Sequence, residues 1–212
     1  MSHLVFVRHG ESELNVTNRD GRIFCGQTNT PLTDFGRQQA SDVGDALAAR
    51  AELRIERAVS SALSRCRDTL DLILRRMPNG VECLPDSSAL NERSLGKFEG
   101  RNAEDVYAEF PEYRDDPKFN QFQYNFTQKA PEGENLKEVT DRAWPVVREL
   151  EKACAGDILI VSHFTTIRCM VGKALELSEQ RTLRLKVANA VPVILERGET
   201  HRLLEGLSLP DA

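Results

Sequence analysis

The stretch LVFVRHGESELN, residues 4–15, decides the fold. Leu4 to Val7 is an unbroken apolar run closed by Arg8, His9 and Gly10, the form of a strand buried on both faces, and strands of that kind belong to parallel sheets. Working outward, Pro31, Leu32 and Thr33 open a segment from Asp34 to Arg50 in which Phe35, Ala40, Val43 and Leu47 recur at helical spacing, with Thr33 as the N-cap candidate. Ile55 to Val59 reads as a second strand. Ser60 or Ser61 can then cap a helix carrying Leu63, Cys66, Leu70, Ile73 and Leu74 on one side. Val81 to Leu84 is a weaker strand, and Leu90 to Gly100 reads as loop. Asn135 to Cys154 has helical spacing despite Pro145, Asp157 to Ser162 is the clearest buried strand, and Thr165 to Leu175 is the helix after it. Val191 to Glu196 and His201 to Leu204 form a final antiparallel pair.

This alternation predicts an α/β fold, a three-layer α/β/α sandwich with a mostly parallel central sheet. Between residues 102 and 135 the pattern changes, and seven of the 13 aromatic residues (Tyr107, Phe110, Tyr113, Phe119, Phe122, Tyr124, Phe126) gather there among prolines and charges. That segment reads as a helical and loop insertion over the C-terminal strand ends. Its rings form either a satellite core or a lid that selects the organic part of a substrate.

With 212 residues, 40% hydrophobic and 29% charged, the chain fits one domain spanning residues 1–212 and needs no staples for its core. Twenty-eight Lys and Arg against 33 Asp and Glu give a net charge of −5, which disfavours nucleic acid and anionic membranes as partners. Five widely spaced cysteines without a C-x-x-C pair read as reduced thiols, so a cytoplasmic location and no metal site are expected. The longest apolar stretch, Ile158 to Val161, is far below the roughly 20 residues that span a bilayer.

In such sheets ligands bind beyond the carboxyl ends of the strands. The first strand delivers Arg8 and His9, the second leads through Ser60 and Ser61 to Arg65, and the late one delivers Ser162 and His163. Two guanidiniums and two imidazoles at one edge would form a local anion site on an acidic protein, and arginine forks suit a phosphoryl group. His9 is the candidate nucleophile. A leaving alkoxide needs a proton, for which Glu92 in the LNERSLGKFEG loop is the candidate, with Glu99 as its rival.

Here the sequence resembles the histidine phosphatase superfamily, in the branch containing phosphoglycerate mutase and fructose-2,6-bisphosphatase. The opening R-H-G-E-S/T-x-x-N matches Arg8 to Asn15, and Gly26, Thr28, Leu32, Thr33, Gly36, Gln39 and Ala40 continue the pattern. S-x-L-x-R-x-x-x-T matches Ser61, Leu63, Arg65 and Thr69, with Ala62 where the family usually has proline. The acid loop matches at Glu92, Arg93, Gly96, Glu99 and Gly100, and P-x-G-E-S/N at Pro131, Gly133, Glu134 and Asn135. The resemblance implies a metal-independent, cofactor-free enzyme with covalent phosphohistidine at His9 and a phosphate pocket of Arg8, Arg65 and His163. It also implies substrate contacts from Asn15 and Thr28, acid Glu92, and a small phosphorylated substrate, with a homodimer left open.

The late V-S-H-G of the family becomes Val161, Ser162, His163 and Phe164. Glycine there lets backbone approach phosphate closely, so Phe164 either narrows the pocket as a substrate wall or folds away. Mutases of the family carry a tyrosine in the acid loop and an adjacent arginine pair in the insertion. Here Leu95 holds the tyrosine position, and Arg101, Arg114, Lys118 and Lys129 are isolated. That favours a phosphatase, with a mutase as the alternative and a catalytically silent phospholigand-binding protein as a third reading.

Overall fold

A computed structural model describes residues 1–20, 22–78 and 80–209. Among these, the apolar runs form a six-stranded sheet from β1 (His3–Arg8), β2 (Ile55–Ser60), β3 (Glu82–Cys83), β4 (Asp157–Ser162), β5 (Pro192–Glu196) and β6 (Arg202–Glu205), in the order β3-β2-β4-β1-β5-β6. The pairings β1 with β4, β2 with β4 and β2 with β3 are parallel; β5 runs antiparallel to both β1 and β6. Leu4 to Val7 and Ile158 to Val161 are fully buried, because the two central strands are covered on both sides.

The helices are α1 (Glu13–Asp20), α2 (Asp34–Ala48), α3 (Ser64–Leu74), α4 (Ala103–Glu109), α5 (Glu112–Asp115), α6 (Leu136–Ala153), α7 (Phe164–Ala174) and α8 (Glu179–Arg184). Side chains alternate along each strand, so one sheet face presents Leu4, Phe6, Ile158 and Ile160 to α6 and α7. The other presents Val5, Val7, Leu159 and Val161 to Val43 and Leu47 of α2 and to Cys66, Leu70 and Ile73 of α3. These are the three layers expected from the sequence. Thr33 caps α2 by accepting the Gly36 N–H at 2.9 Å. In α6 the Asn135 side chain accepts the Glu138 N–H at 2.9 Å while Glu138 accepts the Asn135 N–H, a reciprocal cap that offsets part of the cost of Pro145 within the helix.

Three local expectations change. The N-cap residue of α3 is Leu63, with no side-chain cap; Ser61 instead accepts the Leu63 N–H at 3.2 Å and faces the buried site described below. Helix α7 starts at Phe164 rather than Thr165, which puts His163 at its N-cap and Phe164 at the first helical position. Helices α1 and α8 lack an apolar stripe long enough to be read from sequence.

The insertion is stitched to the segment after α1 by a short ladder: Phe24 N–H donates to Arg101 at 3.0 Å, and Ala103 N–H to Arg22 at 2.8 Å. Its aromatics form a second core in which Tyr107, Tyr113 and Phe122 join Phe24 and Phe98, with Phe110 and Phe119 at the edge. Tyr124 is 59% exposed, and Phe126 packs instead against Leu136, Val139 and Cys169. Most of the rings are thus structural. Phe122 is fully buried, with the rings of Phe98 and Tyr113 at 5.4 and 5.3 Å. Phe122→Ala is expected to cost about 3 kcal/mol or more, read as a lower Tm and a uniform activity loss across substrates. A change in substrate preference at unchanged Tm would contradict this structural role.

Candidate active site

The strand register assembles the site. Arg8 pairs with Ser162 across β1 and β4, and Ser60 with Val161 across β2 and β4, so His9, Ser61 and His163 emerge side by side at one sheet edge. Gly10 and Gly36 allow the turn after His9 to lie directly on α2, because a Cβ on Gly10 would overlap the Gly36 carbonyl. Beyond this edge lies a cavity of about 350 Å³, whose lining includes Arg8, His9, Ser12, Asn15, Arg65 and Glu92.

His9 is buried, and its Nδ1 donates to the Gly10 carbonyl at 2.8 Å. In the neutral ring this leaves Nε2 as the nitrogen with the free lone pair. Burial, followed by the charges of Arg65 and Arg8, pushes the His9 pKa well below its ordinary value, so the ring is neutral at physiological pH. Asn189 donates to the His9 carbonyl at 2.8 Å and so fixes the backbone behind the ring.

Arg65, 1% exposed, donates from Nη1 to the Thr28 carbonyl at 2.8 Å, from Nη2 to the Gly26 carbonyl at 3.2 Å, and from Nε to His163 Nδ1 at 3.3 Å. Its guanidinium is thereby aimed by neutral acceptors that leave its charge uncancelled. Arg8 donates from Nη1 to the Val187 carbonyl at 3.0 Å, and its buried Nε has no partner among the described residues. Burial lowers the pKa of Arg8 from its ordinary value, although a guanidinium stays charged in proteins. Two partly desolvated cations beside a neutral imidazole have the charge and the donors that a phosphoryl group calls for.

His163 lies 5.2 Å from His9 between ring centroids, and it is fully buried behind the cavity rather than among its lining residues. Its Nδ1 accepts from Arg65, so Nε2 carries the proton and donates to Ser61 Oγ at 2.8 Å. Ser61 Oγ donates to Asn91 at 2.9 Å, and Thr166 Oγ1 donates to the Asn91 carbonyl at 2.7 Å. These bonds tie the acid loop to the strand ends. Burial and then Arg65 hold the His163 pKa well below its ordinary value.

Glu92 lines the cavity with Oε1 accepting the Arg93 N–H at 2.8 Å and Oε2 accepting the Thr165 N–H at 3.3 Å. Its rival Glu99 accepts the Leu95 N–H at 2.8 Å and braces its own loop instead. Gly96, at φ 52°, lets that loop close on Pro131, since a Cβ there would meet the Pro131 carbonyl. Arg142 holds the loop from α6 by pairing with Glu134 at 2.7 Å and donating to the Glu92 carbonyl at 3.1 Å.

Asn15 lines the cavity, while its Oδ1 accepts from the Ser12 N–H at 3.1 Å and from Asn189 at 3.3 Å. Thr28 does not line it; its carbonyl braces Arg65. Cys25 is half-buried and lines the cavity, whereas Cys66 is fully buried with Sγ 3.3 Å from His163 Nε2. Sequence reasoning missed Ser12, Arg93, Gln123 and Thr165 as lining residues, and Asn189 as a brace. Arg93 and Thr165 adjoin singled-out positions; Gln123 and Asn189 carry no local signal.

Two buried neutral imidazoles have a consequence for stability. Each binds its proton more weakly folded than unfolded, so their contribution is present above the unfolded value of about 6.5 and is lost as pH falls below it. Unfolding free energy is expected to decline from pH 7 to 5, with a shallower decline in His163→Asn. Parallel pH profiles for wild type and variant would count against buried-histidine linkage.

A family model for the histidine phosphatase superfamily, branch 1, matches residues 4–209. The chain belongs to that superfamily, whose members are phosphatases or mutases. It is 31% identical over 196 residues to a 2,3-bisphosphoglycerate-dependent phosphoglycerate mutase of Parvibaculum lavamentivorans, covering 91% of this chain and 89% of that protein. It also resembles the structure of a mycobacterial glucosyl-3-phosphoglycerate phosphatase complexed with VO3, with TM-score 0.77, 27% identity, and coverage of 99% of this chain and 98% of that one. The alpha-ribazole phosphatase of Shigella flexneri, at 23% identity, shares the fold with TM-score 0.76, over 97% of this chain and 95% of its own. Among the described residues no helix is long and apolar enough to cross a membrane.

Proposed function

We propose that this protein is a phosphatase that hydrolyses a small phosphorylated metabolite through a phosphohistidine on His9. Nε2 attacks phosphorus, the bond from phosphorus to the ester oxygen breaks, and Glu92 in its acid form gives the leaving oxygen a proton. Arg8 and Arg65 neutralise the equatorial oxygens. Water then attacks the phosphohistidine, Glu92 takes the proton, and phosphate leaves as His9 is restored. No metal or cofactor takes part in this scheme.

The observation that carries hydrolysis over a mutase reaction is where the insertion's cations go. Arg101 pairs with Glu109, Arg114 with Asp115 at 2.9 Å, and Lys129 with Glu138 at 2.6 Å, while Lys118 lies over the Phe119 ring. None of the four lines the cavity, and Leu95 brings an apolar side chain where family mutases carry a tyrosine hydroxyl. A mutase must grip a bisphosphate and keep it through two transfers, and beyond Arg8 and Arg65 the described lining of this cavity adds one further cation, Arg93.

The identity to phosphoglycerate mutases favours the second reading, and one assay separates the two. Incubation with 3-phosphoglycerate and catalytic 2,3-bisphosphoglycerate is expected to give no 2-phosphoglycerate above background, while a panel of phosphomonoesters gives sustained phosphate release. Rapid isomerisation without phosphate release would establish the mutase instead.

A further inference from the structure

Phe164 stands where the family pattern has glycine, and the structure shows what it does with the space. At the first position of α7 its ring lines the cavity, with Arg8 Cζ 5.3 Å and Arg168 Cζ 4.2 Å from the ring centroid. Arg168 is itself buried; its Nε donates to the Leu185 carbonyl at 3.2 Å, and its Cζ lies 6.0 Å from the Tyr124 ring. Among the described residues neither Arg8 nor Arg168 forms an ion pair with a carboxylate. Both guanidiniums lie over the electron-rich ring and donate to backbone carbonyls, an arrangement that favours cations and holds the ring in place. Phe164 also packs against the sheet core, so it is held from two directions.

The remaining apolar lining has a separate origin. Phe24 and Leu95 belong to the core of the insertion, and Ile23 precedes Phe24 on the same short ladder. The cavity thus joins the cations Arg8 and Arg65 to apolar walls drawn from two independent cores, with Glu92, Arg93, Gln123 and Thr165 among its further polar lining. Walls of this kind gain little from a heavily hydrated organic group and more from an apolar one that displaces water.

We infer that Phe164 is a specificity-determining residue: its fixed ring makes the site prefer phosphomonoesters whose organic part is flat and apolar over those whose organic part is small. This deepens the phosphatase reading of the same cavity and rests on it. Glycine at this position would leave the wall open, and leucine would keep an apolar wall without the aromatic face.

Binding of non-hydrolysable phosphonates tests the wall without needing turnover. Calorimetric Kd values for methylphosphonate and benzylphosphonate are measured on wild type, Phe164→Gly and Phe164→Leu. Wild type is expected to prefer benzylphosphonate by roughly tenfold, from ring burial and aromatic contact. Phe164→Gly should lose most of that preference and Phe164→Leu should keep part of it. Methylphosphonate should bind all three within about threefold, the scale of a single cation–π interaction at Arg8. An unchanged preference in Phe164→Gly, or no preference in wild type, overturns the proposal. Phosphate release from phenyl phosphate by wild type is read separately: release with an unchanged phosphonate ratio removes the wall alone, and an intact ratio without release removes the phosphatase reading while the wall stands.

Discussion

His9→Ala is expected to end turnover, lowering kcat by roughly 10⁴-fold or more, the scale on which losing a covalent nucleophile acts. The fold should survive. His9 sits past the end of β1, facing a cavity, and its side chain contributes one bond to a neighbouring carbonyl rather than packing in either sheet core. Arg8 and Arg65 hold their positions through the carbonyls of Val187, Thr28 and Gly26, none of which depends on the imidazole. The variant should therefore still bind inorganic phosphate or vanadate, as seen by competition in calorimetry. Residual turnover within tenfold of wild type would move the nucleophile to another residue, and loss of phosphate binding along with turnover would mean that His9 organises the pocket as well.

Glu92→Gln has the second-largest expected effect, and its signature is selectivity rather than size. A positioned general acid supplies roughly 10²- to 10⁴-fold for a poor leaving group and almost nothing for one that departs unprotonated. The amide can keep its carbonyl oxygen on the Arg93 N–H, while the longer bond from the Thr165 N–H and the transferable proton are lost. Alkyl phosphates should slow by that factor, and an activated aryl phosphate by only a few-fold. Equal losses across leaving groups of different pKa would reduce Glu92 to a positioning residue. Glu99, committed to the Leu95 N–H, is not placed to substitute for it.

Much of the fold and site is legible in the order of residues. The run from Leu4 to Val7 and the run from Ile158 to Val161 fit only central strands, because nothing polar interrupts either one. Their register then brings Arg8 beside Ser162, and the quartet Arg8, His9, Arg65 and His163 follows from three strand ends meeting at one edge. The choice between Glu92 and Glu99 is not legible from spacing. What separates the two carboxylates in the structure is the backbone N–H groups that the fold presents to each, Thr165 from a distant helix for Glu92 and Leu95 within the loop for Glu99. Thr28 shows the converse limit: a motif position can act through its carbonyl, which no side-chain chemistry announces.

The insertion is legible as a departure from alternation but not in its partition. Aromatic content is the same for a core and for a lid, and only packing distinguishes Phe122, enclosed by Phe24, Phe98 and Tyr113, from Tyr124, which stays exposed beside Arg168. The role of Phe164 is equally hidden. A ring in place of glycine could turn away from the cavity, and its direction is set by Arg8 and by Arg168 four residues later on the same helix.

The most direct measurement is capture of the phosphoenzyme. Brief incubation of wild-type protein with a ³²P-labelled phosphomonoester, followed by quenching and peptide mapping, is expected to place the label on His9, stable in base and lost in acid, as a phosphoramidate behaves. No label should appear on His9→Ala, and more should accumulate on Glu92→Gln when an activated ester is used, because hydrolysis of the intermediate then lacks its base. Label on another peptide, a base-labile and acid-stable bond, or hydrolysis with no label under any quench would contradict phosphohistidine catalysis at His9.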